Sequence, residues 1–282
     1  MQVRAARVRS VRTATWWRRG PPCYGWPMSC ETVLLEIREG VAIVTWNRPH
    51  QRNAFNRRMW NEGRDLLHEL RADPRARVVV VTGAGDAFTA GQDLSEMAAA
   101  PGDAGHPFGS FMDALIEFDK PLQAAVNGVG VGIGLTMLLH CDVVYVAEEA
   151  RLRAPFVPLG VVPEAAASFM LPLIIGYQRA AEVLYTGDWI DARRAVELGL
   201  AARMCRRSEL VPALLAVAAR MAVGPSGAIR HTKRLLLATR AEQVRAARAR
   251  EDAAFVERVG TPENLEAIRA FFEKRPPDFS GL

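Results

Sequence analysis

The chain has 282 residues, half of them hydrophobic and about a quarter charged. That balance excludes disorder over most of the length and supplies enough apolar side chains for a sizeable core. The formal net charge of +5 lies in a tail: residues 1–27 hold six arginines (Arg4, Arg7, Arg9, Arg12, Arg18, Arg19) and no acid, which leaves −1 for the rest and no nucleic-acid partner to expect there.

Three readings fit the tail: residues translated from a start upstream of Met28, an organelle-targeting segment, or a basic arm for nucleic acid or a membrane. In each, 1–27 is a basic extension expected to be disordered and to add nothing to the core. The four cysteines (Cys23, Cys30, Cys141, Cys205) form no CxxC pair and no ligand spacing. No metal site or disulfide framework is expected, and a cytoplasmic location is the simplest one. The longest apolar runs, near 129–139 and 165–175, fall short of the ~20 residues of a membrane-spanning helix, so no membrane partner is expected either.

Folding signals begin just past Met28. Two short β-rich runs, 33–37 and 41–46, flank Arg38-Glu39-Gly40 and predict a hairpin with its glycine in the turn. Phe55, Met59, Trp60, Leu66, Leu67 and Leu70 recur near helical spacing over 54–71, and Asp73-Pro74 stops that helix. The apolar run 78–81 predicts a strand buried on both faces. Next come a helix over 110–118, a strand over 122–126, a glycine-rich turn, a helix over 134–140 and a strand over 143–146. This alternation predicts an α/β core. Beyond Pro163 the pattern is helical almost throughout, with helices predicted over 179–185, 192–198, 210–221, 228–239, 241–259 and 262–274.

The turn reads Asn127-Gly128-Val129-Gly130-Val131-Gly132-Ile133-Gly134-Leu135-Thr136. It is not a dinucleotide fingerprint, since neither 133 nor 135 is glycine, and not a phosphate loop, since no lysine follows. What remains is a strand, a turn that lets another group approach the backbone, and a helix whose first N–H groups are unpaired and suit a developing negative charge. A tight strand–helix junction packed on a neighbour would read the same way.

A second loop, Phe88-Thr89-Ala90-Gly91-Gln92-Asp93-Leu94, follows the buried strand. Together the two loops resemble the paired motifs of the crotonase, or enoyl-CoA hydratase/isomerase, superfamily. In the same order, Asn47-Arg48-Pro49 with Asn53-Ala54, Cys141-Asp142, Gly187 with Ala192 and Leu198-Gly199-Leu200, and Phe271 with Lys274-Arg275 resemble its further motifs. The resemblance spans about 31–279. It implies a crotonase-like spiral of β-β-α units over 28–225 and a helical C-terminal region over 226–282 for oligomerisation, as a homotrimer or dimer of trimers.

The resemblance also implies a chemistry. Members bind acyl-CoA thioesters as substrates, with no separate cofactor, and stabilise a thioester enolate. The two oxyanion donors would be the backbone N–H groups of Gln92 and Ile133. The backbone near Arg52, Ala54, Ala90 and Gly128 would hold CoA, with Phe271 and Lys274 near the nucleotide, from an adjacent subunit. Hydratases of the family use two glutamates, and here Thr136 and Phe156 stand at those positions. A lone carboxylate follows in Leu159-Gly160-Val161-Val162-Pro163-Glu164-Ala165, which resembles the segment of the single-glutamate Δ3,Δ2-enoyl-CoA isomerases. Glu164 is therefore the expected acid/base of an isomerase, although a carboxylate there also suits a helix's first turn. A hydratase or other crotonase-type reaction is the alternative, and a further one is an inactive member that binds acyl-CoA or RNA. His140 is expected to be a satisfied core histidine, and Asp93 and Asp142 to brace loops. Leu94, Met97, Phe108, Phe111 and Met112 fit either an acyl pocket or plain packing.

Overall fold

The computed structural model describes residues 31–99 and 105–282, with the backbone alone over 97–99. The three readings of the 1–27 tail, and Met97 as a pocket residue, lie outside what is described.

Strands β1 (Val33–Arg38) and β2 (Val41–Trp46) form the expected antiparallel hairpin, turning at Glu39 and Gly40 in the left-handed region. Beyond it the chain repeats one move. A strand of a first sheet is followed at once by a short strand of a second: β3 (Val78–Gly83) by β4 (Ala87–Thr89), β5 (Leu122–Val126) by β6 (Val129–Val131), and β7 (Val143–Ala147) by β8 (Arg151–Arg153). With β9 (Ile190–Asp191) and β10 (Arg203–Cys205) this yields a six-stranded sheet, β1-β2-β3-β5-β7-β10, and a four-stranded one, β4-β6-β8-β9. All neighbours are parallel except β1–β2 and β8–β9. The spiral of β-β-α units expected from the resemblance is thus what the chain forms.

Apolar periodicity builds the helices that cover these sheets. Helix α1 (Arg57–Ala72) buries Met59, Trp60, Leu66, Leu67 and Leu70 along one face, and the Asn56 side chain caps it by accepting the Met59 N–H at 2.9 Å. It starts three residues later than its hydrophobic spacing suggests, because Phe55 forms a bridge to Gln92 instead. Trp46, Phe55, Trp60 and Phe111 make an aromatic cluster, with Phe55 and Trp60 centroids 4.5 Å apart. After the short α2 (Leu94–Ala99), Phe111 and Met112, on α3 (Phe108–Ile116), are fully buried, so packing accounts for both. Helices α5 (Ala167–Ile175), α6 (Tyr177–Thr186), α7 (Ala192–Glu197) and α8 (Arg207–Ala222) follow, and α8 lies across the six-stranded sheet.

Helices α9 (Ser226–Ala238), α10 (Ala241–Arg258) and α11 (Pro262–Glu273) form the C-terminal region. Each docks on the core of its own chain through one buried polar residue. Lys233 reaches Asp142 and the Lys120 carbonyl at 2.8 Å, Glu251 accepts from Ala166 and Ser168, and Asn264 donates to the Leu159 carbonyl at 2.8 Å. Asp142 also accepts the Leu122 N–H at 2.7 Å, so it braces a loop as expected.

Candidate active site

Because β4 and β6 pair in parallel, Ala87 opposite Val129 and Thr89 opposite Gly130, the loops leaving their ends lie side by side. Gly91 has φ +90°, and a Cβ there would stand 2.6 Å from the Val131 carbonyl oxygen, so conformation and close approach both require glycine. Gly132 has φ +56° and starts α4 (Ile133–Thr136), with open space where its Cβ would be. The residues after these glycines, Gln92 and Ile133, are the expected oxyanion donors. Among the described residues, no protein acceptor pairs with either N–H. The Gln92 side chain is occupied elsewhere, accepting from Trp60 Nε1 at 2.8 Å, so only its backbone is available.

The first loop is stitched in place by its neighbours. Phe55 N–H donates to the Gly91 carbonyl at 2.7 Å and Asp93 N–H to the Phe55 carbonyl at 2.9 Å. Arg52 and Asn53 both sit in the left-handed region, and the Arg52 carbonyl accepts the Ala90 N–H at 2.9 Å. The buried Asn53 amide donates to the Ala84 and Ala87 carbonyls at 2.8 Å each. Arg48 links the Ala54 carbonyl at 2.6 Å to the Asp93 carboxylate at 3.0 Å, and Asp93 also accepts from Ser95. Arg52, Ala54 and Ala90 are therefore brought together beside Gly91. Gly128 lies at the β5–β6 corner against the Asp86 carbonyl.

Glu164 meets this site through Thr136. The Thr136 hydroxyl donates to Glu164 Oε1 at 2.6 Å and approaches the Gly132 carbonyl at 3.3 Å. Glu164 keeps partial exposure, but its carboxyl is hemmed in by protein. Burial pushes its pKa up to about 8, against the Thr136 hydrogen bond, which lowers it; Glu251 and Asp252 add to the rise and Arg248 opposes it. Thr136 is fully buried and Phe156 nearly so, which leaves no carboxylate at either hydratase position. The sequence shows that Thr136 cannot replace a glutamate; its contact with Glu164, 28 residues on, is a tertiary fact with no local signal.

The backbone after Glu164 is held under strain. Ala165 and Ala166 have φ of +60° and +59°, a conformation that costs an L-residue roughly 1–2 kcal/mol each. Two buried side chains fix it. His140 Nε2 lies 2.8 Å from the Ala165 carbonyl, and the Glu251 carboxyl accepts Ala166 N–H at 2.6 Å and Ser168 N–H at 2.7 Å. A carbonyl only accepts, so Nε2 carries the proton. Burial drives the His140 pKa down to about 4 and keeps the ring neutral. His140 is thus a satisfied core histidine as expected, with a positioning contact besides. No local pattern marks Glu251, which reads as one acid among many on an amphipathic helix.

Phe271 and Lys274 stand apart from this cluster. Phe271 is exposed near the end of α11, stacked edge-on against the exposed Phe272, and Lys274 caps that helix in the left-handed region.

The model of the enoyl-CoA hydratase/isomerase family matches residues 36–281. A probable enoyl-CoA hydratase of Rhodobacter capsulatus is 33% identical over 90% of this chain and 100% of its own length. A crotonyl-CoA hydratase of Syntrophomonas wolfei is 32% identical over 89% of this chain and 99% of its own. Among solved structures, an enoyl-CoA hydratase/isomerase from Pseudoalteromonas atlantica is 38% identical and superposes with a TM-score of 0.85, covering 89% of this chain and 100% of that one. The names of the relatives favour the hydratase alternative over the isomerase reading.

Proposed function

The chain belongs to the enoyl-CoA hydratase/isomerase, or crotonase, family, and from that premise we propose that it shifts the double bond of a 3-enoyl-CoA to the 2-position. The observation that carries this reading is the carboxyl of Glu164, tied to Thr136 on the short helix that Ile133 opens. In this reading the thioester oxygen sits between the N–H groups of Gln92 and Ile133. Glu164 takes the proton from C2, and the electron pair of that C–H bond passes into a dienolate whose charge rests on the thioester oxygen. Glu164 then gives the proton to C4 while the double bond settles between C2 and C3, so atoms and charge balance and no co-reactant is needed. A group that both takes and returns a proton works best with a pKa near the working pH, which about 8 approaches. Losing one oxyanion donor of this type typically costs about 10²–10³ in rate.

Arg52, Ala54, Ala90 and Gly128 would lie along the CoA moiety, and Phe271 with Lys274 would complete the nucleotide site of a neighbouring copy in a homotrimer or dimer of trimers. A cytoplasmic enzyme is part of the same reading.

Hydration of a 2-enoyl-CoA is the second reading, favoured by the names that the relatives carry. It would ask Glu164 alone to activate water and to protonate the α-carbon. Turnover of purified protein with 3-enoyl and 2-enoyl thioesters, with product identification, separates the two. Formation of 2-enoyl-CoA, lost in Glu164→Gln, is the expected result. A 3-hydroxyacyl-CoA as the principal product from 2-enoyl-CoA would instead select hydration.

A further inference from the structure

A hydroxyl has one proton to donate and two lone pairs to offer. The Thr136 hydroxyl stands between two acceptors, Glu164 Oε1 at 2.6 Å and the Gly132 carbonyl at 3.3 Å. The short contact lies in the range of a hydrogen bond to a charged oxygen. The Gly132 carbonyl belongs to the same peptide unit as the Ile133 N–H, the expected oxyanion donor. It already accepts the N–H groups of Leu135 at 2.8 Å and Thr136 at 3.0 Å.

We propose that Thr136 is a positioning residue that couples the protonation state of Glu164 to the oxyanion donor of Ile133. The proposal rests on Glu164 being the proton carrier. While Glu164 is a carboxylate it can only accept, so Thr136 donates to it and holds it for attack on C2. Once Glu164 has taken the substrate's proton, its new O–H donates to Thr136 Oγ1. The Thr136 hydroxyl keeps its proton and turns it to the Gly132 carbonyl, 3.3 Å away, as a third donor beside the Leu135 and Thr136 N–H groups. A donor on that carbonyl polarises the peptide and strengthens its N–H as a donor. This occurs at the moment when negative charge has reached the thioester oxygen. No atom is gained or lost: one substrate proton enters Glu164, and one hydroxyl proton changes acceptor.

The surroundings suit a device that works through hydrogen bonds instead of net charge. Thr136 is fully buried. The charged groups that act most on Glu164, among the described residues, are on α10: Glu251 and Asp252 disfavour its ionisation, and Arg248 favours it. Facing it from the strand–helix junction, Thr136 alone contributes a hydrogen bond that favours the carboxylate, and the nearby His140 is occupied by the Ala165 carbonyl.

The test compares Thr136→Val, which keeps shape and loses the hydroxyl, with Thr136→Ser, which keeps the hydroxyl. Both are measured as full-length protein with a 3-enoyl-CoA across pH, beside the affinity for a saturated acyl-CoA. Thr136→Val is expected to move the acid limb of kcat/KM up by about one pH unit, a tenfold loss below it. Above the limb, where Glu164 starts ionised in both proteins, kcat should still be about three- to tenfold lower. Saturated acyl-CoA affinity should stay within twofold, and Thr136→Ser should restore limb and plateau. An unmoved limb overturns the proposal. So does a moved limb with an unchanged plateau, because then the hydroxyl's turn to Gly132 contributes nothing to the rate. Thr136→Ser behaving like Thr136→Val also overturns it, since a hydroxyl would then not matter. Glu164→Gln, run in parallel, tests the underlying reading separately: full turnover there sinks the proton carrier itself, whereas its loss beside a wild-type Thr136→Val sinks only the coupling.

Discussion

In the proposed reaction a single side chain, Glu164, sets both the rate and its pH dependence. Abstraction at C2 needs the carboxylate, and burial holds the pKa near 8. The kcat/KM of the native protein is therefore expected to climb through the neutral range and level off above about pH 8, measured with a 3-enoyl-CoA. Glu164→Gln keeps nearly the same size and removes the proton carrier, so its rate should fall about 10²–10⁴-fold with acyl-CoA affinity preserved. Restoring only the first glutamate of the hydratase pair has a different outcome. Thr136→Glu would set a second buried carboxyl at the spot now 2.6 Å from Glu164 and would remove the one hydrogen bond that favours its ionisation. Thr136→Glu is expected to lower the melting temperature and to yield no hydration product from 2-enoyl-CoA. Much of this was legible in sequence: both loops of the proposed oxyanion hole announce themselves through local glycines, and Glu164 through its segment. The partners of Glu164 were not, because Thr136, His140 and Glu251 meet its segment from far along the chain.

Elements were readable in proportion to their length and periodicity. Strand β5 spans the same residues as predicted, and α6 to α11 fall within a few residues of their predicted bounds. The second sheet was largely hidden, since β4, β6 and β8 have three residues each and β9 two, too few for alternation to show. Helix α5 lies under the run 165–175, where Pro172 and burial on several sides erase the amphipathic pattern. The strained entry to that helix depends on α10. Glu251→Ala would leave the N–H groups of Ala166 and Ser168 unpaired and free the Ala165–Ala166 turn to relax. A loss of about 2–4 kcal/mol is expected, read as a lower denaturant midpoint at unchanged slope. Because the turn carries Glu164, kcat should fall as well, more than KM rises. Wild-type stability in Glu251→Ala would show that the turn holds without its clamp.

For the molecule as a whole, the C-terminal helices present two kinds of face. Their inner faces dock on the core, while Leu235, Leu236, Val256, Phe271 and Phe272 are left exposed, where contact with neighbouring copies would cover them. Sedimentation at micromolar concentration is expected to give a trimer or hexamer, and a monomer would refute that reading. The pH dependence of stability follows from the two neutral buried groups beside the active site, and their signs oppose. Folded His140 titrates near 4 against its ordinary 6.5, so the stability it contributes is present above pH 6.5 and is lost as pH falls toward 4. Folded Glu164 titrates near 8 against its ordinary 4.5. Between those values the native state holds a proton that the unfolded chain has released, so stability is full below pH 4.5 and declines as pH rises through 8. The amide of Glu164→Gln cannot ionise and lacks this decline. Denaturant titrations of both proteins at pH 6, 7, 8 and 9 should therefore show the native protein losing ground to Glu164→Gln from pH 6 to 7 and from 7 to 8. The gap should grow up to about pH 8 and stop growing beyond it. A gap that stays constant across the series would mean that Glu164 is ionised throughout, and that the carboxyl at the centre of the site is not held neutral by burial.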